Sequence, residues 1–146
     1  MNISIFLVLL ICAVSLVEAK EHDYKRVIMA GTGDVGELFV RFLLLSGESC
    51  LIVQSLVPGG GGEILGEKDI CSIDGKKIAD DYAAVDFKVG AFKAGKLVFE
   101  VGVTPLQPIG EIVMSCEIIF SNGLADHLSC KEKDFVRKEF CADFER

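Results

Sequence analysis

The chain is poor in the residues on which most enzymes and metal sites depend. It has only two histidines, His22 and His127, and no Cys-x-x-Cys or His-x-x-x-His spacing of the kind that holds zinc. Asp126 adjoins His127, but neighbours on one strand point to opposite faces, so a catalytic triad with Ser121 or Ser129 has poor geometry. We therefore predict that the protein is not an enzyme and needs no cofactor and no metal ion.

Basic residues are also scarce. Lysine and arginine together number 15 against 22 aspartates and glutamates, which gives a formal net charge of −7. An acidic balance disfavours nucleic acids and anionic membrane surfaces as partners. Beyond the first residues, no segment is long and apolar enough to cross a membrane. We expect no nucleic-acid partner and no stable membrane insertion, and the sequence leaves the oligomeric state open.

The beginning of the chain is typical of a secretory signal peptide. An apolar run from Ile3 to Leu16 is followed by Val17-Glu18-Ala19, which places small residues where signal peptidase reads the chain. The run is short for a membrane span. We predict a signal peptide at residues 1–19, a single domain at residues 20–146 and an extracellular location. The polar residues Lys20 to Lys25 are expected to fray.

The mature chain keeps an odd number of cysteines. Because the secretory route is oxidising, disulfides are expected there. Two disulfides would leave one thiol over, and the residues alone do not decide the pairing. The five cysteines are Cys50, Cys71, Cys116, Cys130 and Cys141.

Alternating apolar and polar residues predict antiparallel strands in the second half of the chain. The turn residues Asn122-Gly123 supply the positive φ angles of a tight hairpin. One apolar face and one solvated face indicate a sheet that packs on a second sheet or encloses a ligand. The apolar positions are Val85, Phe87 and Val89 on one strand, Leu97, Phe99, Val101 and Val103 on the next, and Ile112, Met114, Cys116, Ile118 and Phe120 on a third.

The first half is less clear. Arg26–Ala30 and Cys50–Val57 are strand candidates, separated from later elements by the breaker Pro58–Gly62. Residues Glu37 to Leu45 fit a strand or a helix, because periodicity alone does not settle a short apolar run. The tail, with Val136, Phe140 and Phe144 four residues apart, fits a short amphipathic helix or a last strand.

Gly31-Thr-Gly-Asp-Val-Gly36 matches the dinucleotide-binding pattern G-x-G-x-x-G. A nucleotide site would need a strand before these glycines and a helix after them. The remaining pattern favours antiparallel strands, so we expect a glycine-rich turn here. A nucleotide-binding, Rossmann-like domain at Gly31–Gly36 is kept as an alternative.

Several blocks of sequence resemble one known family. They are Ala94–Val101, Pro105–Pro108, Gly110–Val113, Phe120–Gly123, Leu128–Cys130, Ser72–Gly75 and Cys50–Gly59. Together they are similar to the ML domain family of lipid-recognition proteins, which includes sterol carriers, the ganglioside activator and mite allergens. The resemblance implies an all-β fold, an immunoglobulin-like antiparallel β-sandwich, with a lipid or sterol held between its sheets. It also implies a bond between Cys50 and Cys130, with Cys71, Cys116 and Cys141 supplying one more.

The sequence and the resemblance together predict a secreted, non-enzymatic lipid-binding protein. Its role would be lipid transport or lipid recognition in innate immunity, with a lipid or sterol-like apolar ligand as partner. The alternative is a secreted interaction or effector protein with a solid core. The candidate ligand-binding residues are Val85, Phe87, Val89, Leu97, Phe99, Val101, Val103, Ile112, Met114, Ile118 and Phe120.

Overall fold

The computed structural model describes residues 20–133, so the predicted signal peptide and the C-terminal tail lie outside the described residues. Within them the fold is an all-β sandwich of two sheets, as predicted. The first sheet has the order β1 (Val27–Val35), β2 (Leu38–Leu45), β3 (Leu51–Leu56) and β4 (Ile64–Ile70). The second has the order β6-β5-β10-β9-β8-β7, from β5 (Ser72–Ile73), β6 (Lys76–Lys77), β7 (Tyr82–Lys93), β8 (Lys96–Pro105), β9 (Ile112–Ser121) and β10 (Leu124–Glu132).

All strand pairs in this part of the chain are antiparallel except one short parallel contact between β5 and β10. The helical structure among the described residues is a single 3-10 turn at Tyr24–Arg26. No helix there has the length and apolar content to span a membrane.

The ambiguous segment at Glu37 to Leu45 contains strand β2. Its Phe42 and Leu44 face the second sheet, while Leu43 and Leu45 are also buried, on the opposite face. A strand covered on both faces carries an almost continuous apolar run instead of a clean alternation. That is why the segment also matched a helical period.

The prediction of a glycine-rich turn at Gly31–Gly36 is wrong for all of these residues except Gly36. Strand β1 continues through Val35, and the turn to β2 occupies only Gly36 and Glu37. A Cβ atom on Gly31 would lie 2.6 Å from the Phe42 ring. This glycine therefore makes room for an aromatic side chain. The described residues form an antiparallel hairpin here, so the nucleotide-binding alternative lacks the strand-helix-strand unit that it needs.

The placement of Val89 beside Phe87 on one face is also wrong. The register between β7 and β8 shifts by one residue between Phe87 and Val89. A β-bulge of this kind turns the following side chain to the other face. Val89 therefore points away from the core and is 54% exposed, whereas Phe87 is 6% exposed.

The two disulfides join Cys50 to Cys71 and Cys116 to Cys130, so the implied pairing of Cys50 with Cys130 is wrong. Each bond links neighbouring antiparallel strands. Cys50 precedes β3 and Cys71 follows β4, and their Cα atoms are 4.3 Å apart. Cys116 and Cys130 face each other directly across β9 and β10, with Cα atoms 4.0 Å apart. Cys141 lies outside the described residues.

Phenylalanines fill the centre of the sandwich. Phe42 of the first sheet packs edge-to-face on Phe99 of the second, with ring centroids 5.0 Å apart. Phe99 makes a similar contact with Phe87 at 5.7 Å, and Phe92 lies 6.0 Å from Phe42. A Cβ atom on Gly90 would lie 2.6 Å from Phe99 and 2.7 Å from Phe42. The sheets are therefore in close contact at this level.

The outer faces of the two sheets differ. The second sheet carries ion pairs, such as Lys88 with Glu111 at 2.7 Å and Lys96 with Glu117 at 3.0 Å. The first sheet carries a buried apolar cluster of Leu43, Leu45 and Ile52, packed against Val27. The segment before β1 lies beside this cluster. Its His22 is only 8% exposed, so the prediction that Lys20 to Lys25 fray is wrong for this residue.

Candidate ligand site at the open end of the sandwich

At one end of the sandwich, β1 and β7 begin and β2 ends. A cavity of about 340 Å³ lies there, and we refer to it as the end cavity. Its volume falls in the range of about 300 to 1,000 Å³ that is usual for small-molecule sites. Its apolar lining comes from both sheets and includes Ile28, Leu44, Ile78, Tyr82, Val85 and Phe87.

Strand register places these side chains. Val85 and Phe87 pair with Val103 and Val101 of β8, so both point to the core side of the second sheet. Leu44 pairs with Leu51 and faces them from the first sheet. The rim is completed by the turn between β2 and β3, in which Gly47 has a φ of 77°. The cavity is therefore held by regular strands on two sides and by one tight turn.

Ile78 closes the same cavity from the segment that follows β6. Its backbone N–H donates a hydrogen bond to the carbonyl of Cys71 at 2.9 Å. This bond ties the segment to the disulfide between Cys50 and Cys71. The Ile78 side chain is 8% exposed and belongs to the main core.

A second cavity of about 400 Å³, which we call the edge cavity, adjoins the end cavity and shares Ser49 and Ala79 with it. Its wall contains both cysteines of the Cys50–Cys71 disulfide. Six further lining residues carry ionisable side chains, namely Lys68, Lys77, Asp69, Asp80, Asp126 and His127, and Ser49, Ile70, Ser72 and Ala79 complete the lining. The two cavities are therefore neighbours, and each combines apolar with ionisable lining residues.

Some of these charges are already paired. Lys77 Nζ lies 3.7 Å from Asp80 Oδ2, and His127 Nδ1 lies 2.9 Å from Asp126 Oδ2. Both pairs are exposed, so each contributes little to stability. Among the described residues, Lys68 has no carboxylate within 4.0 Å.

Tyr82 combines an apolar ring with a polar tip at the mouth of the end cavity. Burial raises the pKa of its phenol above the usual value, and the negative charges of Asp74 and Asp81 raise it further. The neutral hydroxyl can donate a hydrogen bond to a ligand at the entrance.

The predicted ligand-binding residues divide into four groups. Val85 and Phe87 line the end cavity, while Val89 lies on the outer face of the sheet. Buried in the main core are Leu97, Phe99, Val101, Val103 and Ile118. Half-buried against it are Ile112, Met114 and Phe120. The structure thus brings most of them together as packed core and two of them to a cavity.

Sequence reasoning missed most residues that line the end cavity, among them Ile28, Leu44, Ile78 and Tyr82. Leu44 had a usable signal, because it sits in an apolar run of the strand candidate. The other three lie at strand ends or between strands, where no periodicity marks them.

Within residues 20–133, no group of three or more histidine, cysteine, aspartate or glutamate side chains is arranged to hold a metal ion. A scan against protein-family models finds no match, and searches of curated proteins and of solved structures find none either. The resemblance to the ML domain family therefore stays a prediction from the residues.

Proposed function

We propose that the protein binds a small amphipathic lipid at the open end of the sandwich and performs no chemistry on it. The apolar part of the ligand would occupy the end cavity between Leu44 and Val85. The polar part would reach the edge cavity, past the shared residues Ser49 and Ala79. The single observation that carries the proposal is that a cavity with apolar side chains from both sheets adjoins a second cavity lined by several ionisable side chains.

The driving force would be apolar burial. Each Å² of apolar surface removed from water contributes about 25 cal/mol. The side chains that would contact the ligand project from paired strands, so little ordering is needed on binding. Tyr82 and the charged residues of the edge cavity would fix the orientation of the ligand.

This proposal changes the site expected from the sequence. A ligand in the middle of the sandwich would have to displace Phe42 and Phe99, whose rings are in edge-to-face contact. A ligand at the open end needs no such displacement. We therefore assign binding to the end of the sandwich.

Uptake of a fluorescent fatty acid by the delipidated protein tests the proposal. Val85→Glu places a carboxylate in the end cavity, and we expect it to weaken uptake about tenfold or more, because burying an unpaired charge is costly. Val89→Glu is the matched control, since it makes the same change on the same strand but at an exposed position. We expect uptake by this variant to stay within about twofold of wild type, which is within about 0.4 kcal/mol.

Three outcomes would contradict the proposal. The wild-type protein could take up no probe, which would favour an interaction protein that uses its surface. Both variants could bind equally well. Val89→Glu alone could lose uptake, which would point instead to a groove on the outer face of the second sheet that Val89 lines.

A further inference from the structure

The segment of residues 20–26, which we call the N-terminal strap, is tied to the edge strand β4. Lys20 Nζ donates a hydrogen bond to Asp69 Oδ2, and His22 Nε2 lies 2.8 Å from Glu67 Oε1. Lys20 and His22 are two residues apart on the strap, and the carboxylates that they contact are also two residues apart on β4. Because alternate residues of a strand share a face, both contacts lie on the same face of the first sheet.

The other end of the strap is tied to the turn after β2. Arg26 donates a hydrogen bond to the carbonyl of Ser46, and its guanidinium lies 3.5 Å from Glu48. Between its two anchored ends the strap lies over Leu45 and Ile52, with a cavity of about 270 Å³ beneath it. The strap is therefore part of the fold and covers apolar surface.

The two carboxylates that hold the strap differ in how they are satisfied. Glu67 uses both oxygens, because Oε2 accepts a 2.6 Å hydrogen bond from Gln54 while Oε1 contacts His22. Gln54 is fully buried and is itself held by Arg41 at 2.7 Å. Asp69 uses only Oδ2. Its Oδ1 is buried and has no hydrogen-bond partner among the described residues.

A buried carboxylate oxygen without a donor is unfavourable, and native structures rarely leave one. The residue that already contacts Asp69 is Lys20, which would become the first residue if the chain were cleaved after Ala19. Cleavage adds water across the Ala19–Lys20 peptide bond. The carboxylate stays on Ala19, and Lys20 receives an ammonium group with three N–H donors. An α-ammonium has a pKa of about 7.7 to 8.0, so at neutral pH it is largely charged.

We propose that Asp69 Oδ1 is the acceptor for the α-ammonium group that cleavage after Ala19 creates on Lys20. Removal of the leader then completes the anchoring of the strap. One carboxylate would hold both cationic groups of the same residue, one on each oxygen. The inference depends on the predicted cleavage site and is independent of any ligand.

The test compares two forms of the chain through residue 146, one beginning at Lys20 and one with Gly-Ser added before Lys20. The addition moves the charged amino group away from Asp69. We expect it to lower the midpoint of thermal unfolding by about 2 to 5 °C, as for the loss of one partly buried ion pair. In Asp69→Asn the two forms should unfold at the same temperature. In Asp80→Asn, which removes a carboxylate from an exposed pair, the difference should persist.

A second variant separates the two cationic groups of Lys20. Lys20→Ala removes the side-chain ammonium but keeps the α-ammonium, so the effect of the Gly-Ser addition should remain. The Lys20→Ala variant can also test the proposal if Asp69→Asn does not fold. The proposal fails if the addition has no effect in wild type, if it has the same effect in Asp69→Asn, or if Lys20→Ala abolishes it. It also fails if mass spectrometry of the secreted protein shows a first residue other than Lys20. None of these results bears on ligand uptake.

Discussion

Strands β2 and β7 contribute to both the centre and the open end of the sandwich, but the two regions are packed differently. At the centre, Phe42 of β2 meets Phe99, and Gly90 of β7 leaves room for both rings. Leu44 lies two residues after Phe42 on β2, and Val85 lies five residues before Gly90 on β7. These two aliphatic side chains line the end cavity of about 340 Å³. At the centre, aromatic rings from both sheets are in contact, whereas at the open end aliphatic side chains and Phe87 border a cavity.

The disulfides follow the same division. Cys116 is 1% exposed and contributes to the main core, so its bond to Cys130 belongs to the packed region. The bond between Cys50 and Cys71 lies in the wall of the edge cavity, and Cys71 is exposed. The packed region is therefore stabilised by buried contacts, whereas the open end depends on a bond that solvent can reach.

The largest expected effect is on the packed centre. Phe42→Ala removes the ring that joins the two sheets and should cost about 3 to 5 kcal/mol in the free energy of unfolding. Phe39→Ala, three residues earlier on the same strand, is the control, because Phe39 is only half-buried and faces outward. We expect it to cost clearly less. Denaturant-induced unfolding measures both, and equal losses would show that the centre is not organised around Phe42.

A loss of stability of intermediate size is expected when the disulfide at the open end is reduced. A low concentration of a thiol reductant should open the Cys50–Cys71 bond before the Cys116–Cys130 bond, because thiolate attack needs access to sulfur. Loss of the first bond should lower the free energy of unfolding by about 2 to 3 kcal/mol. Alkylation followed by peptide mass spectrometry identifies the reduced cysteines. Alkylation of Cys116 and Cys130 first would contradict the division between a closed centre and an open end.

Much of the fold could be predicted from the sequence, because strands and turns leave local signals. Alternation placed β8 and β9 with the correct faces, and Asn122-Gly123 marked the turn between β9 and β10, with φ angles of 52° and 79°. Strand β2 was ambiguous because burial on both faces removes the alternation. The strap was missed because its burial comes from contacts with distant residues of β4.

Two features that the sequence did not reveal depend on shifts of a single residue. Cys116 lies opposite Cys130 only because an irregularity between Ala125 and His127 adds one residue to β10. A similar shift at Lys88 turns Val89 outward. The apolar pattern does not encode such bulges. The site was predicted less well than the fold for a related reason, since alternation identifies core-facing residues but does not report whether the space they face is filled.

The smallest expected effect is the titration of Tyr82, and it tests which region takes the ligand. The phenol is neutral in both folded and unfolded chains well below its ordinary pKa of 10.0. As the pH rises through that value, the unfolded chain loses its proton first, because burial raises the pKa of Tyr82 in the folded protein. Stability should therefore fall above about pH 10, and Tyr82→Phe should reduce that fall.

A ligand in the end cavity would bury Tyr82 further and raise its pKa again, whereas a ligand bound elsewhere would leave it unchanged. Ultraviolet absorbance titration with and without the fatty acid reports this shift. Tyr24, the other tyrosine of the chain, is 53% exposed and serves as the internal control. If the fatty acid shifts only the pKa of Tyr24, the binding site lies at the strap. If it shifts the pKa of neither tyrosine, the end cavity is not the binding site.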